Sequence, residues 1–387
     1  MPIDYAQLPS PCYVLDEARL RRNLLVLRSI QEETGVKIIL AFKGFAMWST
    51  FPLIRQYLAG ATASSLHEAR LCAELMGRRA HTYAPAYLPD EFSELLTYTS
   101  HLTFNSLNQY ERYFPTVQQF LNHPISCGLR VNPEYSEVDT ELYNPCAPGT
   151  RLGILAEQLG DRVPPGVEGL HFHTLCESNS YALEKTLLFF EERFGRYLPQ
   201  LQWVNFGGGH LMTDADYDLR HLRAVLAGFS RRYPHLEIIL EPGSAVAWQT
   251  GELLTTVLDI VDNKGVRTAL LDVSFTAHMP DTLEMPYRPR VHGAFDPGRV
   301  SADTLPPHRY RLGGISCLAG DYLEAYAFER ELQVGDRLVF ADMMHYTMVK
   351  TTTFNGVKHP SIVIWTEKDQ LRLVRRFAYE DFKNRLS

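Results

Sequence analysis

Lys37-Ile38-Ile39-Leu40-Ala41-Phe42-Lys43-Gly44 is an apolar run bounded by lysines and too short for a helix. Such a run reads as a parallel strand buried on both faces. It ends in an amine followed by glycine, at the strand end where α/β folds keep their chemistry. A lysine amine partly desolvated at such a point loses basicity and condenses with carbonyls to form a Schiff base. On this stretch alone, a solvated lysine closing an ordinary strand is the commoner reading. The rest of the chain has to decide.

Working outward, residues 12–16 read as a strand, followed by a helix capped by Asp16 over 19–33. After Lys43 an apolar helix over 48–58 is stopped by Gly60, and a second over 66–76 by Gly77. Strands at 81–84, 101–105, 126–131, 169–173, 202–206 and 236–240 then follow, with helices at 90–97, 107–120, 181–197 and 215–232 and a Pro- and Gly-containing loop at 144–153. With the stretch Thr62-Ala63-Ser64-Ser65 after Gly60 counted, eight strands between Lys37 and Leu240, mostly alternating with helices, predict an α/β fold of the TIM-like (β/α)8 barrel type. A doubly wound open sheet is the rival, but no G-x-G-x-x-G follows the first strand. Beyond Glu241 the character changes. β-Branched and aromatic runs at 253–261, 268–275, 310–317, 337–340 and 361–365, separated by Gly, Pro and Asp turns, predict a C-terminal all-β domain. The expected division is 14–245 for the barrel, with 1–13 and 246–387 forming a β-sandwich or β-barrel domain.

The 387 residues are 45% hydrophobic and 21% charged, a globular composition. A formal net charge of −7 argues against a nucleic-acid surface. Met1-Pro-Ile-Asp-Tyr carries neither a basic segment nor an apolar core of a secretion signal, and no apolar run is long enough for a bilayer span, so a cytoplasmic chain without membrane partners is expected. The six cysteines are scattered without a C-x-x-C pair, which predicts reduced thiols and no metal site.

The strand ends carry the chemistry-bearing residues. Lys43 ends the first barrel strand, His171-Phe172-His173 the sixth, Asn205-Phe206-Gly207-Gly208-Gly209 the seventh and Glu241-Pro242-Gly243-Ser244 the eighth. Each alone is weak: three glycines are more often a flexible turn, a histidine a satisfied core residue, a glutamate before proline a strand terminator. Together, a lysine, an imidazole to stack on a ring, a backbone cradle for an oxyanion and a carboxylate for a pyridinium nitrogen are the parts pyridoxal 5′-phosphate requires.

The order of these motifs resembles the fold-type III, alanine-racemase-like pyridoxal-phosphate decarboxylases, in the carboxynorspermidine decarboxylase branch. The residues that carry the resemblance run over nearly the whole chain: Ala41-Phe-Lys-Gly-Phe-Ala-Met-Trp-Ser, Ala63-Ser-Ser-Leu-His-Glu, Leu129-Arg-Val-Asn-Pro, Arg151-Leu-Gly, His171-Phe-His-Thr-Leu-Cys-Glu, Phe206-Gly-Gly-Gly, Leu240-Glu-Pro-Gly, Ala277-His-Met-Pro-Asp, Ser316-Cys-Leu-Ala-Gly-Asp and His345-Tyr-Thr-Met-Val-Lys with Phe354-Asn-Gly. The resemblance implies that Lys43 carries the cofactor, that His173 stacks on its ring and that Glu241 meets the ring nitrogen. It further implies that Gly207, Gly208, Gly209, Gly243 and Tyr346 help bind the phosphate. It implies a homodimer with shared active sites, in which Cys317, with Asp321 beside it, enters from the partner subunit as the acid that reprotonates Cα. The implied reaction is decarboxylation of carboxynorspermidine to norspermidine and of carboxyspermidine to spermidine. For the distal ammonium of such substrates, Glu177, Asp281 and Glu284 are candidate partners, each weighed against an ordinary solvated carboxylate, and Asp321 is a further expected substrate-binding residue. Ser244 departs from the wider group, where related ornithine decarboxylases carry arginine after Glu-Pro-Gly. Other decarboxylases of this fold, acting on ornithine, arginine or diaminopimelate, remain alternatives. So does a non-catalytic pyridoxal-phosphate-binding barrel, although the long segment after Glu241 speaks against it.

Overall fold

The computed structural model describes residues 3–138, 140–284 and 287–387. Met1 and Pro2, part of the start read for a leader, lie outside the described residues. The chain forms two compact units, one of residues 22–246 and one of residues 1–21 with 247–387.

In chain order the strands begin with β1 (Cys12–Asp16), β2 (Lys37–Ala41), β3 (Gly60–Ala63), β4 (Ala80–Tyr83), β5 (Thr99–Phe104), β6 (Ser126–Arg130), β7 (Val167–His171), β8 (Trp203–Asn205) and β9 (Glu237–Leu240). Strands β2 to β9 pair in sequence order, all parallel, and β2 closes on β9 through Lys37 opposite Ile239 and Ile38 opposite Leu240. The expected barrel is therefore present. The crossover from β6 to β7 carries only 3-10 turns at Glu141–Tyr143 and Ala156–Gln158, where the sequence offers Pro and Gly instead of a helical pattern. The helix expected over 48–58 shortens to a 3-10 turn and the α-helix Phe51–Ile54, and that over 66–76 changes to π-helical winding at Cys72–Met76. Gly77 stops the latter in the left-handed region at φ 72°.

The floor of the barrel is packed. Trp203 projects against Gly128 and Gly169, where an added Cβ would stand 2.3 and 2.0 Å from its ring. Ile39 and Ile239 complete a buried cluster with it, and His81 and His101 stack at 3.8 Å with Trp203 edge-on to His101. A filled floor leaves the C-terminal strand ends as the open face, as in other barrels of this type.

The second unit is a mostly antiparallel sheet of β10 (Gly251–Asn263), β11 (Val266–Leu271), β12 (Ala294–Phe295), β13 (His308–Gly313), β14 (Tyr322–Phe328), β15 (Arg337–Ala341), β16 (Ser361–Trp365) and β17 (Leu371–Arg375). β1 lies inside this sheet, antiparallel to β10 and parallel to β16. The boundary of the barrel unit therefore falls after Arg21, later than the residue 14 expected, because residues 14–16 extend the same paired strand. Ile3, Leu8, Cys12, Val14, Leu254, Val339, Val363 and Trp365 form its buried core. The run expected over 268–275 stops at Leu271, because Ser274 caps the short helix Phe275–His278 by accepting a hydrogen bond from the Ala277 N–H at 3.1 Å.

Candidate active site

Lys43 stands two residues beyond β2, in the turn that leaves the barrel wall. Gly44 N–H donates to the Ala41 carbonyl at 3.0 Å, and Ala41 N–H donates to the Pro242 carbonyl at 3.1 Å. A Cβ on Gly44 would come within 2.8 Å of the Gly243 Cα. Glycine at both positions lets the exits of β2 and β9 touch backbone to backbone, bringing the lysine and Glu241 onto the same side of the barrel mouth. The Lys43 side chain is accessible although protein surrounds it closely. That is the condition of a group in a hollow, not on a convex surface. Burial lowers the basicity of its amine, the Arg130 guanidinium lowers it further, and Glu241 opposes both.

The triple glycine does more than leave room. Gly207 N–H donates to Asn205 Oδ1 at 2.8 Å, and Asn205 Nδ2 donates to Glu241 Oε1 at 2.7 Å. Gly208 N–H donates to His173 Nδ1 at 2.9 Å. Two of the three N–H groups are thus taken up inside the protein, and they orient the imidazole and, through Asn205, the carboxylate. Gly207 and Gly209 hold φ of 71° and 85°, and a Cβ on Gly208 or Gly209 would stand 2.3 Å from the Glu241 carbonyl or 2.1 Å from the Leu175 carbonyl. The glycines are required by close backbone approach.

Burial pushes the Glu241 carboxyl upward, against hydrogen bonds from Asn205 and Thr62 and the charges of Lys43 and Arg130. His171 Nε2 lies 3.6 Å from Glu241 Oε2. This contact is no ion pair, because burial and the nearby cations hold His171 well below the ordinary histidine range. His173 is likewise neutral, for burial first and then the charge of Lys43. Since its Nδ1 accepts from Gly208, its proton is on Nε2. Arg130, buried, lies over the Tyr83 ring at 4.7 Å, and its Nη2 donates to the His173 carbonyl at 3.4 Å.

The barrel therefore brings together Lys43, His173, Glu241 and the glycines, as expected. It adds Arg130, His171 and Asn205, which sequence reasoning left without roles. A signal existed for each: Arg130, His171 and Asn205 are the last residues of β6, β7 and β8, at the strand ends where such a barrel keeps its chemistry. Glu177, also in this unit, is exposed at φ 46°.

The remaining candidates belong to the sheet unit. Cys317 is exposed, and its N–H donates to Asn355 Oδ1 at 2.8 Å. Asp321 is buried, and its carboxylate accepts from the Thr276 N–H at 3.0 Å, the Ser316 N–H at 3.2 Å and the Ser316 hydroxyl at 2.6 Å. Those bonds fasten the Cys317 loop. Asp281 Oδ2 accepts from Thr347 Oγ1 at 3.1 Å and Tyr287 OH at 3.3 Å, while its Oδ1 is buried without a hydrogen-bond partner among the described residues. Glu284 is exposed and paired with the Lys350 amine. Tyr346 is half-buried at φ 49°, its carbonyl accepting from the Val349 and Lys350 N–H groups at 3.0 and 2.9 Å.

An amine of reduced basicity, a neutral imidazole of fixed tautomer, a buried carboxylate and a glycine loop fit pyridoxal phosphate in charge and donor type. Among the described residues no group of three or more His, Cys, Asp or Glu is placed to hold a metal ion. No helix of the described residues is long and apolar enough to cross a membrane.

Residues 12–344 match the family described as pyridoxal-dependent decarboxylase, C-terminal sheet domain. The chain is 54% identical to a carboxyaminopropylagmatine decarboxylase of Synechocystis sp., over 98% of this chain and 96% of that protein. It is 42% identical to a carboxynorspermidine/carboxyspermidine decarboxylase of Campylobacter jejuni, over 98% of this chain and 99% of that one. The crystal structure of the Campylobacter jejuni carboxynorspermidine decarboxylase complexed with norspermidine superposes with a TM-score of 0.89 at 41% identity, covering 98% of this chain and 100% of that chain. The diaminopimelate decarboxylase of Helicobacter pylori shares the fold, with a TM-score of 0.77 at 17% identity over 98% of this chain and 97% of that one.

Proposed function

We propose that this chain, which belongs to the pyridoxal-dependent decarboxylases, removes the carboxylate of a carboxylated polyamine, converting carboxynorspermidine to norspermidine and carboxyspermidine to spermidine. Similarity along almost the whole chain to enzymes of those names carries the reading. A second substrate, carboxyaminopropylagmatine, is favoured by the 54% identity to the Synechocystis enzyme. The two readings differ at the distal end of the substrate, a primary ammonium in one and the guanidinium of agmatine in the other. The unpartnered Oδ1 of Asp281 suits either cation, whereas Glu284 is already neutralised by Lys350.

Pyridoxal phosphate, when bound, supplies the electron sink for the bond that breaks at the substrate's Cα. Every other task falls to this chain's own residues. The Lys43 amine holds the cofactor covalently, and its low basicity favours the neutral nucleophilic form. His173 stacks on the ring as a neutral imidazole. Glu241 keeps the ring nitrogen protonated. Gly209 and Gly243 contribute at the phosphate together with Tyr346, while Gly207 and Gly208 act by orienting Asn205 and His173. The Cys317 thiol returns a proton to Cα, and Asp321 fixes its loop. Asp281 and Glu177 are the carboxylates assigned to the distal cation, Glu284 serving only if it parts from Lys350. The chain works in the cytoplasm.

Carbon dioxide release should be measured with carboxynorspermidine, carboxyspermidine, carboxyaminopropylagmatine, ornithine and diaminopimelate. The expected result is kcat/KM for at least one carboxylated polyamine exceeding that for ornithine and diaminopimelate by about 10²-fold or more. The ranking among the first three assigns the distal group. Preference for ornithine or diaminopimelate would overturn the proposal.

The active unit is a homodimer in which Cys317 of the partner subunit completes each site. Lys43→Ala and Cys317→Ala dimers should each be nearly inactive. When the two are mixed equally, about half of the dimers are heterodimers with one intact site, so roughly a quarter of wild-type sites should return. An inactive mixture with subunit exchange confirmed would mean that each site is built from one chain.

A further inference from the structure

Asn205 is buried at the end of β8, between the glycine loop and Glu241. Its amide makes two contacts of opposite polarity. Oδ1 accepts the Gly207 N–H at 2.8 Å, and Nδ2 donates to Glu241 Oε1 at 2.7 Å. An amide side chain is free to flip unless its neighbours decide the matter. Here they do: a backbone N–H only donates, so the atom facing Gly207 is the oxygen, and the NH2 is left facing the carboxylate. The backbone repeats the connection, with Glu241 N–H donating to the Gly207 carbonyl at 2.8 Å.

We propose that Asn205 is the positioning residue for Glu241, a glycine-locked amide that aims one carboxylate oxygen and keeps the carboxylate ionised in a buried setting. The inference rests on the reading of Glu241 as the partner of the ring nitrogen. A buried carboxylate that lacks donors takes up a proton, and a protonated carboxyl no longer holds a pyridinium. The other groups acting on Glu241 are the Thr62 hydroxyl and the charges of Lys43 and Arg130, with Tyr83 nearby and His171 neutral at 3.6 Å. Lys43 is committed to the cofactor in the working enzyme. That increases the share of the task that falls on Asn205, whose hydrogen bond is the strongest of the influences favouring the ionised form.

The test uses Asn205→Leu, which keeps similar volume and removes both contacts, and Asn205→Asp, which keeps an acceptor for Gly207 but sets a carboxylate against Glu241. Glu241→Gln is measured alongside. In both Asn205 variants kcat should fall at least about tenfold, as expected for losing one hydrogen bond to a charged group. In Asn205→Asp the added negative charge disfavours ionisation of Glu241, so the acid limb of the kcat profile should move up by about one pH unit or more. The affinity of cofactor-free protein for pyridoxal phosphate, followed by fluorescence, should show its smaller weakening toward acid at a correspondingly higher pH. A merely structural role would lower stability without moving either profile. If both variants match the wild type in kcat and pH profile while Glu241→Gln is impaired, Asn205 has no such role and the reading of Glu241 stands. If Glu241→Gln is itself unimpaired, the reading beneath the inference fails. Should Asn205→Leu not fold, Asn205→Asp, which retains the Gly207 contact, decides.

Discussion

Replacing Lys43 with alanine is expected to lower kcat by at least about 10³-fold, the scale seen when a covalent catalytic group is removed. No other lysine shares its surroundings. Burial and the Arg130 guanidinium lower its basicity, and the turn closed by Gly44 sets it beside Glu241 on the barrel mouth. Borohydride reduction of the wild-type holoenzyme followed by peptide mapping should place the cofactor on the peptide containing Lys43, and the alanine variant should yield no labelled peptide. Because the amine's pKa is lowered, its neutral fraction at a given pH exceeds that of an exposed lysine. Covalent attachment should therefore persist to lower pH than for a free lysine analogue. A label on Lys350 would remove Lys43 from the mechanism.

The second large effect concerns Glu241. Its conversion to glutamine keeps size and hydrogen-bonding capacity but removes the charge, and kcat should fall by roughly 10²-fold or more while affinity for the cofactor changes far less. The charge matters chiefly when the bond at Cα breaks and electrons move toward the ring, so the loss appears in kcat. The sign of the pH effect follows from the surroundings. Burial raises this carboxyl's pKa, and the working form is ionised, so kcat declines as pH falls through that pKa. In the glutamine variant this part of the acid limb should disappear. Turnover equal to wild type at saturating cofactor would exclude the assigned role.

The barrel was legible because its strands are continuous apolar runs bounded by turn residues, a pattern that survives without tertiary information. Lys43, His173 and Glu241 were legible for the same reason: a residue just past the end of a buried parallel strand has one place to be. What escaped was the set of contacts among them. In Asn205-Phe206-Gly-Gly-Gly the Gly207 N–H returns to the asparagine two residues back, a local contact, but nothing indicates that the Gly208 N–H is directed at a side chain and not at an anion. That depends on the approach of the β7 exit, which only the closed barrel brings about. Asp321 shows the same limit: its carboxylate accepts from Thr276 and Ser316 and fastens the Cys317 loop, contacts that a linear reading cannot foresee. In the sheet unit β12, β14 and β17 were not anticipated. β17 is largely exposed and carries arginines at both of its polar positions, so it lacks the apolar signature of a buried strand.

The pairing of β1 has a bearing on how the chain is made. Cys12 lies opposite Leu254 on one side and Ser361 on the other. β1 therefore precedes its first partner, β10, by the whole length of the barrel, and its second, β16, by more still. The eight strands of the barrel, by contrast, are contiguous from Lys37 to Leu240, each bonded to the next to emerge. Local order of this kind favours early folding, and long-range pairing delays it. A barrel that forms in that order does so while β1, with the apolar Cys12-Tyr-Val-Leu, is still unpaired. During that interval the segment is a bare edge, open to pairing with other chains until β10 and β16 arrive.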